Sequence, residues 1–180
     1  ALKGFRKLAP SSSRYGLPWE WVAGLAAAMI HLELPTSALL TLLLFDTYLR
    51  PSEGLDLKPK DLVDPVPQAS GMSRAAVIVR PEEDKRPSKT GTFDDTVVLA
   101  EADVQLSDLL LALKQKNKAK NTLFDLDTRD FKKHFDLAAE ALGLHQENLC
   151  SYQLRHGGPS RDALLQRRSM ESIRKRGRWA

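Results

Sequence analysis

A mainly α fold of the α+β class, helical with one small antiparallel β-sheet or hairpin, is predicted by three features of the chain. Apolar residues recur at three- and four-residue spacing through most of its length. Two short runs rich in β-branched residues, Ala75 to Val79 and Thr96 to Leu99, flank a charged connection. Pro, Gly and Ser punctuate the stretches between periodic segments.

Residues 1–17, with Lys3, Arg6, Lys7 and Pro10-Ser11-Ser12-Ser13, have no apolar period and read as a linker or tail, which leaves 18–180 as the folded domain. Trp21, Val22, Leu25, Ala26, Met29 and Ile30 form an amphipathic helix ending before Pro35. Thr36 or Ser37 can cap a second helix, in which Leu39, Leu40, Leu42, Leu43, Leu44 and Phe45 cover nearly the whole circumference, as a buried helix requires. Arg50 then emerges close to the core on a rigid support.

Asp61 to Ser73 contains Pro65, Pro67 and Gly71 and reads as loop. The two β-runs form a hairpin whose long connection, Arg80 to Asp95, carries Lys89 near its tip. Val104 to Leu113 is helical, and Lys114, Lys116, Lys118 and Lys120 follow as an exposed connection. Asp130 to Leu142 is amphipathic and closes on Gly143, a left-handed cap. Ser151 caps a helix with Arg155 in its first turn, which Gly157, Gly158 and Pro159 shorten or interrupt; Asp162 to Arg174 makes one more helix.

The net charge is +4 and the isoelectric point about 9.2, but the distribution is more informative. Residues 151–180 hold eight basic residues (Arg155, Arg161, Arg167, Arg168, Arg174, Lys175, Arg176, Arg178) against Asp162 and Glu171, an excess of +6 that leaves −2 for residues 1–150. Such a segment attracts polyanions by releasing their condensed counterions. A lone cysteine, Cys150, excludes an internal disulfide framework. His31, His134 and His145 lack metal-ligand spacing, and neither a Gly-x-Ser-x-Gly turn nor a phosphate-binding Gly-x-x-x-x-Gly-Lys loop occurs, so no metal or nucleotide cofactor is implied. The apolar run Ser37 to Phe45 is too short to span a bilayer and no signal peptide opens the chain, which suggests an intracellular protein.

Four separated segments carry groups suited to a phosphodiester: Tyr48-Leu49-Arg50-Pro51-Ser52-Glu53, Ser88-Lys89-Thr90-Gly91, Tyr152-Gln153-Leu154-Arg155-His156 and Gly177-Arg178-Trp179. Negative charge builds on phosphate oxygens in the transition state, so catalysis needs fixed positive donors. Arginine offers a planar fork that stays charged, lysine can protonate a leaving oxygen, and an indole N–H can only donate.

In order and spacing these segments resemble the catalytic domain of the tyrosine recombinase (phage integrase) family, over residues from about 18 to the end. The resemblance implies that family's DNA breaking-rejoining fold. It implies site-specific recombination or integration through a 3′-phosphotyrosyl link, as phages and mobile elements use, without metal or cofactor. Arg50 and Arg155 would be the catalytic arginines, Lys89 (or Lys85 in another hairpin register) the general acid, and Trp179 the residue at the family's His/Trp position. Glu53 and His156 would support them, with Tyr152 where the family has histidine. Arg161, Arg167, Arg168, Arg174, Lys175, Arg176 and Arg178 would meet double-stranded DNA. Family members assemble as tetramers on DNA; the compartment would be the nucleus in a eukaryote and the cytoplasm in a bacterium.

The chain departs from the pattern at three places. Tyr152 replaces the histidine, Tyr48 stands where a glycine is common, and no tyrosine follows Trp179. The last departure implies a chain truncated before its nucleophile. Two further readings stay open: a non-catalytic DNA-binding module derived from a recombinase, and a helical protein-interaction domain with a basic C-terminus.

Overall fold

Pro35 opens the helix around which the rest is arranged. The computed structural model describes residues 15–65, 74–79, 95–99 and 104–179. Helix α1 spans Trp19–His31 and α2 spans Pro35–Thr47. Proline suits the first helical position because its missing N–H would have no partner there, so α2 starts at Pro35 and is not capped by Thr36 or Ser37. Leu40, Leu43, Leu44, Phe45 and Thr41 on α2 are all buried, and α2 touches α1, α3 (Pro51–Leu55), α4 (Val104–Lys116), α5 (Thr128–Ala141) and α6 (Leu154–Leu164). The last helix, α7, spans Met170–Gly177 and packs on α6. No helix among the described residues is long and apolar enough to cross a membrane.

Three antiparallel strands lie beside this bundle in the order β1 (Leu62–Val63), β2 (Ala76–Val79), β3 (Asp95–Val98). Val77 pairs with Val97 across the expected hairpin, and Leu62 with Val77 on its other edge. Residues 62 and 63, expected as loop, are therefore a third strand. Lys114, expected in an exposed connection, belongs to α4 and donates from Nζ to the Leu62 carbonyl and to Asp64, each at 2.8 Å.

Helix α5 begins where the Asp127 side chain accepts from the Asp130 N–H. It ends in a left-handed turn at Gly143 (φ +70°), with Leu144 N–H reaching back to the Ala139 carbonyl. Ser151 does not cap the next helix. A single 3₁₀ turn, Ser151–Gln153, leads into α6, and the Gln153 side chain accepts from Cys150 N–H at 2.8 Å. Asp162 to Arg174 is split between two helices, because Gln166 turns left-handed (φ +52°) and Ser169 caps α7 by accepting from Ser172 N–H.

The glycines of α6 are contacts and do not interrupt the helix. A Cβ on Gly157 would lie 2.3 Å from the Leu17 carbonyl oxygen, and one on Gly158 would lie 2.0 Å from that of Phe45. Their absence lets α6 lie directly on the end of α2, with Pro159 accommodated inside it. Leu17 is itself buried and donates its N–H to the Gln153 carbonyl at 3.3 Å. Because the clash at Gly158 is with backbone, Gly158→Ala should destabilise the fold by about 1–3 kcal/mol, read as a lower urea midpoint with an unchanged slope.

Candidate functional site

Helix α2 stops at Tyr48, which adopts a left-handed conformation (φ +56°). Such a backbone costs a non-glycine residue about 1–2 kcal/mol, so the Tyr48 side chain must offset it. It is 1% exposed, donates its hydroxyl to Asp162, lies under the Arg176 guanidinium (5.4 Å), and stacks on Trp179 (6.2 Å, 19°). Burial first, then the Asp162 carboxylate, push the phenol above its ordinary value, so it remains a protonated donor. Asp162 also accepts from Arg168 Nε at 2.7 Å.

Two residues on, Arg50 precedes α3 with Pro51 at its first position. Glu53 closes this turn: its carboxylate accepts from Arg50 N–H at 2.8 Å and from Arg50 Nη1 at 2.5 Å. The local pattern is the acidic half of a capping box. Glu53 is 4% exposed and also accepts from Arg178 Nη2 at 2.8 Å, with Arg155 Nη1 at 3.8 Å. Burial alone would raise its pKa, but Arg178, the Arg50 N–H and the Arg50 guanidinium outweigh that and hold it below its usual range.

Arg155 projects from the first turn of α6 and is 1% exposed. Nη1 donates to the Tyr48 carbonyl at 2.5 Å and Nη2 to the Gly177 carbonyl at 2.6 Å, so it ties the approach to α3 to the end of α7. Its guanidinium lies 5.1 Å from the Trp179 ring centroid. Burial, then repulsion from Arg50, lower its pKa to about 10, which still leaves it charged at neutral pH.

The indole of Trp179 covers Gly177, where a Cβ would come within 2.1 Å of the ring. Between them Arg178 is left-handed (φ +55°), its side chain 5% exposed and directed at Glu53. Arg176 holds α7 in place by donating to the Asp46 carbonyl and carboxylate and to the Val98 carbonyl.

Of the residues singled out in the sequence, Arg50, Glu53, Arg155 and Trp179 therefore meet in one cluster. Tyr152, 38% exposed, stands edge-on to His156 (5.3 Å) beside them. Burial and the neighbouring Arg155 lower the His156 pKa, so this imidazole is neutral at pH 7. Lys89 and Lys85 lie outside the described residues. The basic segment divides. Arg167, Arg174 and Lys175 are exposed, the last paired with Glu171, whereas Arg168, Arg176 and Arg178 turn inward. Arg161 lies over Trp19 at 4.1 Å. The sequence did not single out Asp162 or the inward role of Arg178, and it marked Tyr48 only as a residue standing where a glycine is common. A large side chain one or two residues before a catalytic-type residue, at a turn that favours glycine, is the signal that could have found Tyr48 and Arg178.

The fold matches that of the XerH site-specific recombinase, solved bound to difH substrate in a pre-cleavage complex. The TM-score is 0.64 at 17% sequence identity, over 93% of this chain and 48% of that one. The fold is tyrosine recombinase-like. This chain spans about half the length of the XerH chain it matches. No protein-family model matches the sequence, and no curated protein does.

In electrostatic terms, three guanidinium groups share the Glu53 carboxylate, which leaves the cluster at +2. Counting Asp95, whose carboxylate is 4.0 Å from Arg178 Nε, leaves +1. Buried charge is costly when unpaired. The arrangement is therefore suited to taking up an anion, and side-chain exposure rises to 16% at Arg50, which marks the side of approach.

Proposed function

We propose that this domain grips a DNA phosphodiester and, with a tyrosine supplied beyond Ala180, cleaves and rejoins the strand as site-specific recombinases do. The observation that carries this reading is the excess of buried positive charge gathered from α3, α6 and the end of α7 within a recombinase-like fold. A backbone phosphate carries the one negative charge the cluster lacks. Arg50 presents its outward side to one oxygen. Arg155, fixed by two carbonyls, has three of its five N–H groups left to donate. The Trp179 indole steadies another oxygen.

In the cleavage step the tyrosine hydroxyl passes its proton to solvent as its oxygen attacks phosphorus, and the bond to the 5′ oxygen breaks. That oxygen leaves with a proton from Lys89, giving a 3′-phosphotyrosyl link and a 5′ hydroxyl. Rejoining reverses these transfers, and the covalent link conserves the energy of the broken bond. The tyrosines within these 180 residues do not fit the nucleophile's role: Tyr48 is sealed against Asp162, and Tyr15 and Tyr152 precede the family's position for it. Exposed Arg167, Arg174 and Lys175 would meet flanking phosphates, and assembly on DNA as a tetramer would follow the recombinase pattern.

Covalent capture tests this. The full-length protein, incubated with nicked duplex DNA and denatured, should yield a protein–DNA adduct attached through phosphotyrosine. Steeply salt-dependent DNA binding without any adduct would instead support a non-catalytic DNA-binding module. Tyr152 in place of the usual histidine favours that second reading.

A further inference from the structure

By sequence Arg178 belongs to a run of surface cations, but its side chain is 5% exposed and directed into the cluster. We propose that Arg178 is a third phosphate-gripping arginine, its Nη2 held by Glu53 and its Nε and Nη1 donors reserved for a DNA backbone phosphate. This rests on the reading that the cluster grips a phosphodiester.

Three observations support it. Nε and Nη1 of Arg178 are the buried side-chain donors that find no hydrogen-bond acceptor among the described residues, although buried polar groups are otherwise nearly always paired. The Asp95 carboxylate is 4.0 Å from Nε, beyond a hydrogen bond. Glu53 does not supply the missing acceptor: the bonds its two oxygens receive come from Arg50 N–H, Arg50 Nη1 and Arg178 Nη2.

The backbone points the same way. Arg178 occupies a left-handed turn at the end of α7 (φ +55°), where glycine is ordinarily preferred. A strained position that carries a buried, under-satisfied cation next to Trp179 is more readily understood through a ligand than through packing. Phosphate arrives from the Arg50 side, where side-chain exposure is 16% against 1% at Arg155. Trp179, the next residue, follows any movement of Arg178, so the grip on the phosphate and the placing of the indole are coupled.

The test uses the full-length protein and a duplex without a cleavable site, with affinity measured across a salt series. Each phosphate contact contributes about 0.9 to the slope of log affinity against log salt. Arg178→Gln should reduce the slope by about that amount, and Arg178→Lys, which keeps the charge, should restore it. An unchanged slope in Arg178→Gln, with only a lowered melting temperature, would show a structural partner of Glu53 and overturn the assignment. Should Arg178→Gln not fold, the Arg178 Nε–H resonance in the unsubstituted protein decides. It should shift when the duplex is added, and a stationary resonance at saturating DNA overturns the proposal. An unsubstituted protein that fails to bind the duplex, or binds with no salt dependence, sinks the phosphodiester reading itself. A steep slope that survives Arg178→Gln sinks the role of Arg178 alone.

Discussion

Arg155→Ala is expected to remove about 3–5 kcal/mol of stability and to abolish covalent capture of DNA. The first effect follows from what Arg155 holds. Truncation orphans the Tyr48 carbonyl and the Gly177 carbonyl, both inside the fold, and takes one cation away from Glu53. Each buried acceptor left without a donor costs about 1–3 kcal/mol. The second effect follows from the proposed chemistry, since removing one fixed donor from a transition-state oxygen lowers turnover by about 10²–10³-fold. Arg155→Lys separates the two. Lysine keeps the charge and can reach one carbonyl, but it lacks the planar fork. Denaturant unfolding of Arg155→Lys should recover much of the lost stability while capture stays low. Full capture in that variant would mean that Arg155 only fastens the end of α7 to the turn before α3.

The same residue shows how far the sequence could be read. Arg50, Glu53, Arg155 and Trp179 were legible because each sits at a helix end whose position apolar periodicity sets. The recombinase-like order of their segments then predicts that they meet. What escaped depends on tertiary context. Gly157, Gly158 and Pro159 look like breaks in a linear reading, yet the missing Cβ atoms serve the contact with Leu17 and Phe45, which no local pattern encodes. Leu62 and Val63 are too few to show a period of two, and they become a strand only because β2 offers them an edge. The stop after α6 falls on Gln166, a residue with no turn signature. Arg176 and Arg178 could not be told apart from Arg174 or Lys175, because burial of a charged side chain is decided by partners distant in sequence, here Asp46, Val98 and Glu53.

Glu53→Gln should lower stability at neutral pH by about 3 kcal/mol, with a pH dependence that identifies the cause. The side chains are nearly equal in size, but the amide leaves Arg50, Arg155 and Arg178 facing one another without their shared counter-charge, the situation in which breaking a buried ion pair is costly. In the unsubstituted protein the Glu53 carboxyl is held below its unfolded value of about 4.5. Its ionised form therefore contributes stability that is complete above that value and is lost as pH falls through the lower folded-state pKa. A protonated glutamate resembles glutamine, so the stability curves of the two proteins should stand apart at pH 7 and converge in acid. Other carboxylates titrate over the same range, but they do so in both proteins and cancel in the difference. Curves that remain parallel down to pH 3 would mean that Glu53 acts through shape, and that the three arginines are neutralised by some other group.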